Sequence, residues 1–213
     1  MSHVPTPTNN SLPLKTSGYR SLAEALDYAA QGTTGCNFYN GRGKLMQVMT
    51  YTQLRQRALD IAARLAGLGL SRGSRIALVA DTHADFHTMF FACQYAGLVP
   101  VPLPAAVHLG GKQAFIEHLR ALLIDCDAKA AYASSDFVSF LNAAVADLDL
   151  AVSGTIEAFE QLAPAGQLPE PPDSEDLAYL QYTSGSTRFP RGTMITQRAV
   201  LTNLAGILQY GVQ

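Results

Sequence analysis

The chain has 213 residues, 48% of them hydrophobic, and carries 15 Lys and Arg against 17 Asp and Glu for a formal charge of -2. That is enough apolar material for a buried core, while so even a charge balance supplies no basic field of the kind that draws nucleic acid or an anionic membrane, and points away from both as partners. Cys36, Cys93 and Cys126 are odd in number, far apart and in no Cys-x-x-Cys spacing, which argues for reduced, mostly buried thiols over a disulfide framework or a structural zinc site.

The opening "MSHVPTPTNN" has no basic start followed by an apolar stretch, so no secretory signal is visible. Residues 1 to 20 are polar and Pro-rich and are expected to form a flexible tail, with the ordered domain spanning 21 to 213. Order begins at "SLAE", a capping box of Ser21 with Glu24 that opens a short helix ending near Gly32. "CNFYNGRGKLMQVMTY" reads as two strands about an Asn40-Gly41 turn. Thr50 and Gln53 make a second capping box, followed by Leu54, Ala58, Ile61, Ala62, Leu65 and Leu68 on one helical face.

"RIALVA", Arg75 to Ala80, is a continuous apolar run suited to a parallel strand buried on both faces. Asp81 or Thr82 is the expected cap of the next helix, with Phe86, Met89, Phe90 and Cys93 along one side and Gly97 closing it. The window from Phe86 to Val107 is the most apolar of the chain, but His87, Gln94 and three prolines make it unlike a membrane span, so a cytoplasmic protein is expected. In "LVPVPLP", Pro100, Pro102 and Pro104 stand two apart, so an extended chain loses its N–H groups on one side and can pair along one edge only.

Helix, short strand ("KAAYAS") and helix follow from Gly111 to about Ala146, and this alternation means an α/β fold with mostly parallel strands. Residues 163 to 175 form a Pro-rich acidic connector before another buried strand, "DLAYLQYT". A polar loop comes next, and then a helix from about Gln197 with Val200, Leu204, Ile207 and Leu208 on one face.

That loop, "TSGSTRFPRG", carries the chemistry. Thr183, Ser184, Ser186 and Thr187 supply hydroxyl donors, Gly185 and Gly192 permit backbone shapes that turn several N–H groups to one point, and Arg188 and Arg191 add forked positive donors. Such a set suits phosphate, as strand-to-loop-to-helix junctions do generally, although an ordinary surface loop rich in turn formers has a similar composition. A Walker loop is excluded, because six residues separate Gly185 from Gly192 and no Lys follows. "GLGLSRG", Gly67 to Gly73, has one residue too many for a dinucleotide fingerprint and lies after a helix and before a strand, so it reads as a helix end and turn. His83 and His87 lack a third metal ligand, and Asp125 and Asp127 read as solvated surface charges. Tyr51 and Phe90 read as core.

"YTSGSTRFPRGTMITQ", Tyr182 to Gln197, resembles the phosphate loop of the acyl-adenylate-forming ligases, Thr-Ser-Gly-Ser-Thr-Gly, a variable residue, Pro-Lys-Gly and a later Thr-His. Arg188 stands for the usual Gly and Arg191 for the usual Lys, as in the branch of fatty acyl-AMP ligases. "FFACQYAGLVPVPLP", "IEHLRALLIDCDAKAAYAS" and "MTYTQLRQRALDIAARLAGLGLSRGSRIALV" resemble the N-terminal region of that branch, so the likeness covers residues 20 to 213.

The resemblance implies the large N-terminal domain of the ligase fold and a two-step reaction. A fatty acid is activated with ATP and magnesium to acyl-AMP, releasing pyrophosphate, and the acyl group passes to the phosphopantetheine of an acyl carrier protein or of a carrier domain in a polyketide or nonribosomal peptide synthase. It assigns Thr183, Ser184, Gly185, Ser186, Thr187, Arg191 and Gly192 to the ATP phosphates. Arg188 either faces phosphate or pairs with an acidic neighbour. Gln197 stands where the family has His, so no role of that His carries over. The resemblance also implies that the adenine and ribose segments, the hinge and the C-terminal domain with its catalytic lysine lie downstream, so this piece is expected to be inactive alone. An acyl-CoA synthetase or other carboxylate-adenylating ligase, and a non-enzymatic binding module derived from the fold, are the alternatives.

Overall fold

The computed structural model describes residues 12–105, 111–183 and 190–211. Residues 12–20 of the expected tail lie against the first helix, α1 (Leu22–Ala29): the Tyr28 hydroxyl donates to Pro13 O (2.6 Å) and the Lys15 ammonium sits 4.2 Å over the Tyr19 ring. Ser21 caps α1 through the Glu24 N–H as expected, but the returning Glu24 carboxylate takes the N–H of Arg20 (2.7 Å) and not that of the cap.

β1 (Gly35–Tyr39) and β2 (Leu45–Thr50) form the expected antiparallel hairpin. Its connection is wider than an Asn40-Gly41 turn: Asn40 Oδ1 accepts from the N–H groups of Arg42 and Lys44, and the left-handed position is Gly43 (φ 73°). The capping box of Thr50 and Gln53 is complete and opens α2 (Tyr51–Gly67), whose Leu54, Ala58, Ile61, Ala62 and Leu65 are buried.

Four parallel strands form the central sheet, β3 (Arg75–Ala80), β4 (Val99–Pro104), β5 (Ala128–Tyr132) and β6 (Val152–Gly154), in the order β4-β3-β5-β6. The unbroken apolar run of β3 divides by alternation: Ile76 and Leu78 face one layer, Ala77 and Val79 the other. α3 (Ala84–Tyr95) and α6 (Ile156–Glu160) pack with α2 on the first face, and α4 (Gly111–Asp125) with α5 (Val138–Val145) on the second. The crossover from β3 to β4 moves opposite to those from β4 to β5 and β5 to β6, and its helix lies on the opposite face, as one crossover hand requires. The fold is α/β, as the alternation of elements predicts.

The prolines of β4 place it at the sheet edge, paired with β3 alone. The cap of α3 is neither Asp81 nor Thr82 but His83, whose Nδ1 accepts the Asp85 N–H (3.2 Å), because the Asp81 carboxylate is taken by the Ser134 hydroxyl at the end of β5. Cys93 and Cys126 are buried and Cys36 half-buried, all as free thiols. Phe90 and Tyr51 are half-buried against apolar clusters.

Candidate phosphate-binding site

The segment "DLAYLQYT" forms β7 (Leu177–Thr183), with Ala178 and Leu180 buried. The residues after the polar loop form another strand, β8 (Arg191–Thr196), antiparallel to β7, and only then does α7 (Gln197–Tyr210) begin. The loop therefore closes a hairpin, with Thr183 opposite Arg191 at its mouth, in place of the expected strand-to-loop-to-helix junction.

This changes the electrostatics. The α7 N-terminus, capped by Thr196 Oγ on the Ala199 N–H (3.2 Å), stands at the far end of β8 from the loop, about 20 Å away for six extended residues. Helix-terminal charge fades within a turn, so α7 lends the loop nothing. Positive character at the loop must come from its own N–H groups, its hydroxyls and its arginines.

Of the candidate contacts, Thr183, Arg191 and Gly192 lie in the strands, solvent-exposed and side by side at the hairpin mouth. Among the described residues no carboxylate pairs with Arg191. Ser184, Gly185, Ser186, Thr187 and Arg188 lie outside the described residues. Gly192 does not use left-handed freedom; it is a strand residue opposite Tyr182, where an added Cβ would meet that ring at 3.4 Å.

Tyr182 anchors the mouth. Its hydroxyl donates to Asp125 Oδ2 at the end of α4, and its pKa is raised by burial first and by that carboxylate second. At the other end of β7, Ala178 O accepts from Gln94 Nε2 near the end of α3. Both ties lie where the parallel strands begin, the edge opposite the switch point of β3 and β5 at which open α/β sheets usually hold ligands. At that switch point Asp81 and Ser134 bond to each other.

Two polar pairs were not legible as contacts in the chain, Tyr182 with Asp125 and Gln94 with Gln197. Asp125 is thus a hydrogen-bond partner, while Asp127 pairs at the surface with Lys129 (2.6 Å). His83 and His87 cap and pack, and no group of three or more metal-ligating side chains occurs among the described residues. The expected apolar face of α7 is largely open: Val200 is half-buried, whereas Leu204, Ile207 and Leu208 are exposed, with residues 15–19 lining a groove along Leu204 and Leu208.

A family model described as AMP-binding enzyme matches residues 29–212. A Caulobacter vibrioides protein provisionally named an acyl-CoA synthetase is 36% identical over 208 residues, 98% of this chain and 36% of the relative. A structure from a study of fatty acyl-adenylate ligases of E. coli and L. pneumophila superposes with a TM-score of 0.86 at 40% identity, over 94% of this chain and 36% of that one. Another, an L. pneumophila fatty acyl-adenylate ligase in complex with acyl adenylate and pyrophosphate, gives 0.70 at 26% identity, over 89% of this chain and 32% of its own. The chain spans about a third of the length of the proteins it matches.

Proposed function

Because this chain belongs to the AMP-binding enzyme family, we propose that it carries the phosphate grip of a ligase that converts a fatty acid and ATP to acyl-adenylate and pyrophosphate. The observation that carries this reading is the loop from Thr183 to Gly192, rich in hydroxyl donors and held at the mouth of a hairpin by Tyr182. The fatty acyl-adenylate ligase with bound pyrophosphate supports it from outside.

ATP supplies the phosphoanhydride whose α-phosphorus the fatty carboxylate attacks. The bond to the bridging oxygen breaks, and pyrophosphate leaves with the electron pair. Thr183, Ser184, Ser186 and Thr187 would donate hydroxyl hydrogens to the β- and γ-phosphates, with Gly185 and Gly192 allowing close approach, and Arg191 would meet the growing charge with a two-pronged donor. Arg188 adds a second guanidinium to the same loop. Magnesium would be carried on the nucleotide phosphates, where it would screen their charge.

The acceptor is proposed to be the phosphopantetheine thiol of a carrier protein or carrier domain, on the strength of the fatty acyl-adenylate ligase match and of the arginines at 188 and 191. The name of the Caulobacter relative favours coenzyme A as a second reading. No helix among the described residues is long and apolar enough to cross a membrane, and a cytoplasmic setting is proposed.

The test is fatty-acid-dependent ATP–pyrophosphate exchange by the polypeptide that carries this chain, then acyl transfer offered in parallel to holo-carrier protein and coenzyme A. Exchange is expected, with Arg191→Ala raising KM for ATP by about tenfold, the lower end for a charge-assisted bond at an exposed site. No exchange with any fatty acid would refute the reading, and transfer to coenzyme A alone would select the second acceptor.

A further inference from the structure

The parallel sheet and the phosphate hairpin meet along a seam without a ladder. β4 gives one edge to β3, with the Val99 N–H donating to Ser74 O (2.9 Å) where the strand begins. Its other edge has no donors at Pro100, Pro102 and Pro104. β7 packs beside β4, yet its strand partner is β8.

A chain of side-chain amides reaches across instead. The Leu22 N–H at the start of α1 donates to Gln197 Oε1 (2.9 Å), Gln197 Nε2 donates to Gln94 Oε1 (2.6 Å), and Gln94 Nε2 donates to Ala178 O in β7 (2.6 Å). Gln94 is 2% exposed and Gln197 fully buried. Gln197 is also the first residue of α7, and its own N–H donates to Asp176 O (2.9 Å). One buried point thus joins α1, α3, β7 and α7.

The ends dictate the polarity of this relay. A main-chain N–H only donates and a main-chain carbonyl only accepts, so both amides must turn oxygen toward Leu22 and nitrogen toward Ala178. A carboxylate at either position keeps the size but cannot pass a donor onward. We propose that Gln94 and Gln197 are positioning residues that hold the phosphate hairpin against the parallel sheet, where β4 and β7 share no main-chain ladder and the β4 prolines remove that edge's donors. The consequence for ATP rests on the ligase reading above, whereas the hold on the hairpin does not.

Gln94→Glu and Gln197→Glu test it, with Gln94→Leu/Gln197→Leu as a relay-free variant without added charge. In hydrogen exchange of the polypeptide that carries this chain, each variant is expected to lose protection across residues 177–183 and 191–196 by about tenfold, while β3 and β5 change less than about twofold. Unchanged hairpin protection, or an equal loss in β3 and β5, would overturn the proposal. In ATP–pyrophosphate exchange by the polypeptide carrying the chain, KM for ATP is expected to rise about tenfold with kcat and KM for the fatty acid within about twofold. A fall in kcat at unchanged KM for ATP would also overturn it, since that is what a smaller folded fraction produces. Absence of exchange by the wild type would sink the ligase reading alone and leave the relay to be decided by hydrogen exchange.

Discussion

Replacing Pro100 with alanine probes the seam between β4 and β7. Pro100 is buried, in register with Ile76, and its missing N–H would point away from β3 toward the hairpin. Alanine restores that N–H in a place where the neighbouring strand spends its ladder on β8. An unpaired buried donor costs about 1–3 kcal/mol, and the freer unfolded chain adds about 0.4–1 kcal/mol. The sum is about 1.4–4 kcal/mol, or a Tm lower by roughly 3–16 °C for a chain of this size. Pro104→Ala is the control: Pro104 is exposed, so water satisfies the new N–H and only the entropic part, about 0.4–1 kcal/mol, remains. Urea or thermal unfolding of the two variants beside the wild type measures the difference. If Pro100→Ala proves as stable as Pro104→Ala, β7 has a carbonyl free to accept the new donor, and the account of an unladdered seam is wrong.

Tyr182→Phe removes the hydroxyl that holds the loop mouth to Asp125, and a loss of about 1 kcal/mol at this partly exposed bond is expected in urea unfolding, with faster exchange of the Thr183 amide. The Arg72 guanidinium bonds Asp176 (2.6 Å) and lowers its pKa below the ordinary 3.8. That lowered value adds stability above the unfolded pKa, lost as pH falls through the folded one. Arg72→Ala should therefore be less stable than wild type at pH 7, with the gap between urea midpoints narrowing below the ordinary carboxylate range to the part owed to the bonds from Arg72 to Glu170 O and Pro171 O; both side chains of the ion pair are over a third exposed, so the pH-dependent part is small. Burial raises the Cys126 thiol to about 11 and pushes Cys93 up as well. Iodoacetamide at pH 8 should thus reach Cys36 in the native chain and the other two thiols only in denaturant, as mass spectrometry would show.

Much of the scaffold is legible in the chain because its signals are local. Thr50 with Gln53, the alternating prolines and the apolar run Arg75 to Ala80 each carry their own structural instruction within a few residues. What escaped was set by partners far along the chain. Asp81 looks like a helix cap until Ser134 claims its carboxylate from β5, which leaves the role to His83. β6 and α6, with three and five residues, are too short for periodicity to speak. β8 is exposed along most of its length, so it has no apolar alternation and reads as the tail of a loop. The missed strand mattered most for the site, because it moved the α7 N-terminus away from the phosphate loop. Gln197 was visible as a departure from the family His, but its use is not, since both ends of its bond network lie in other elements.

The row of prolines in β4 also bears on how the protein is made. The edge of a growing sheet can recruit a strand from any neighbouring polypeptide. β4 leaves the ribosome roughly 70 residues before β7, several seconds at about 5–20 residues per second, and for that interval its outer edge has nothing of its own to lie against. With donors absent at every second position, a nascent chain nearby has little to zip onto. The strand that cannot ladder with its own hairpin is, for the same reason, a poor template for aggregation.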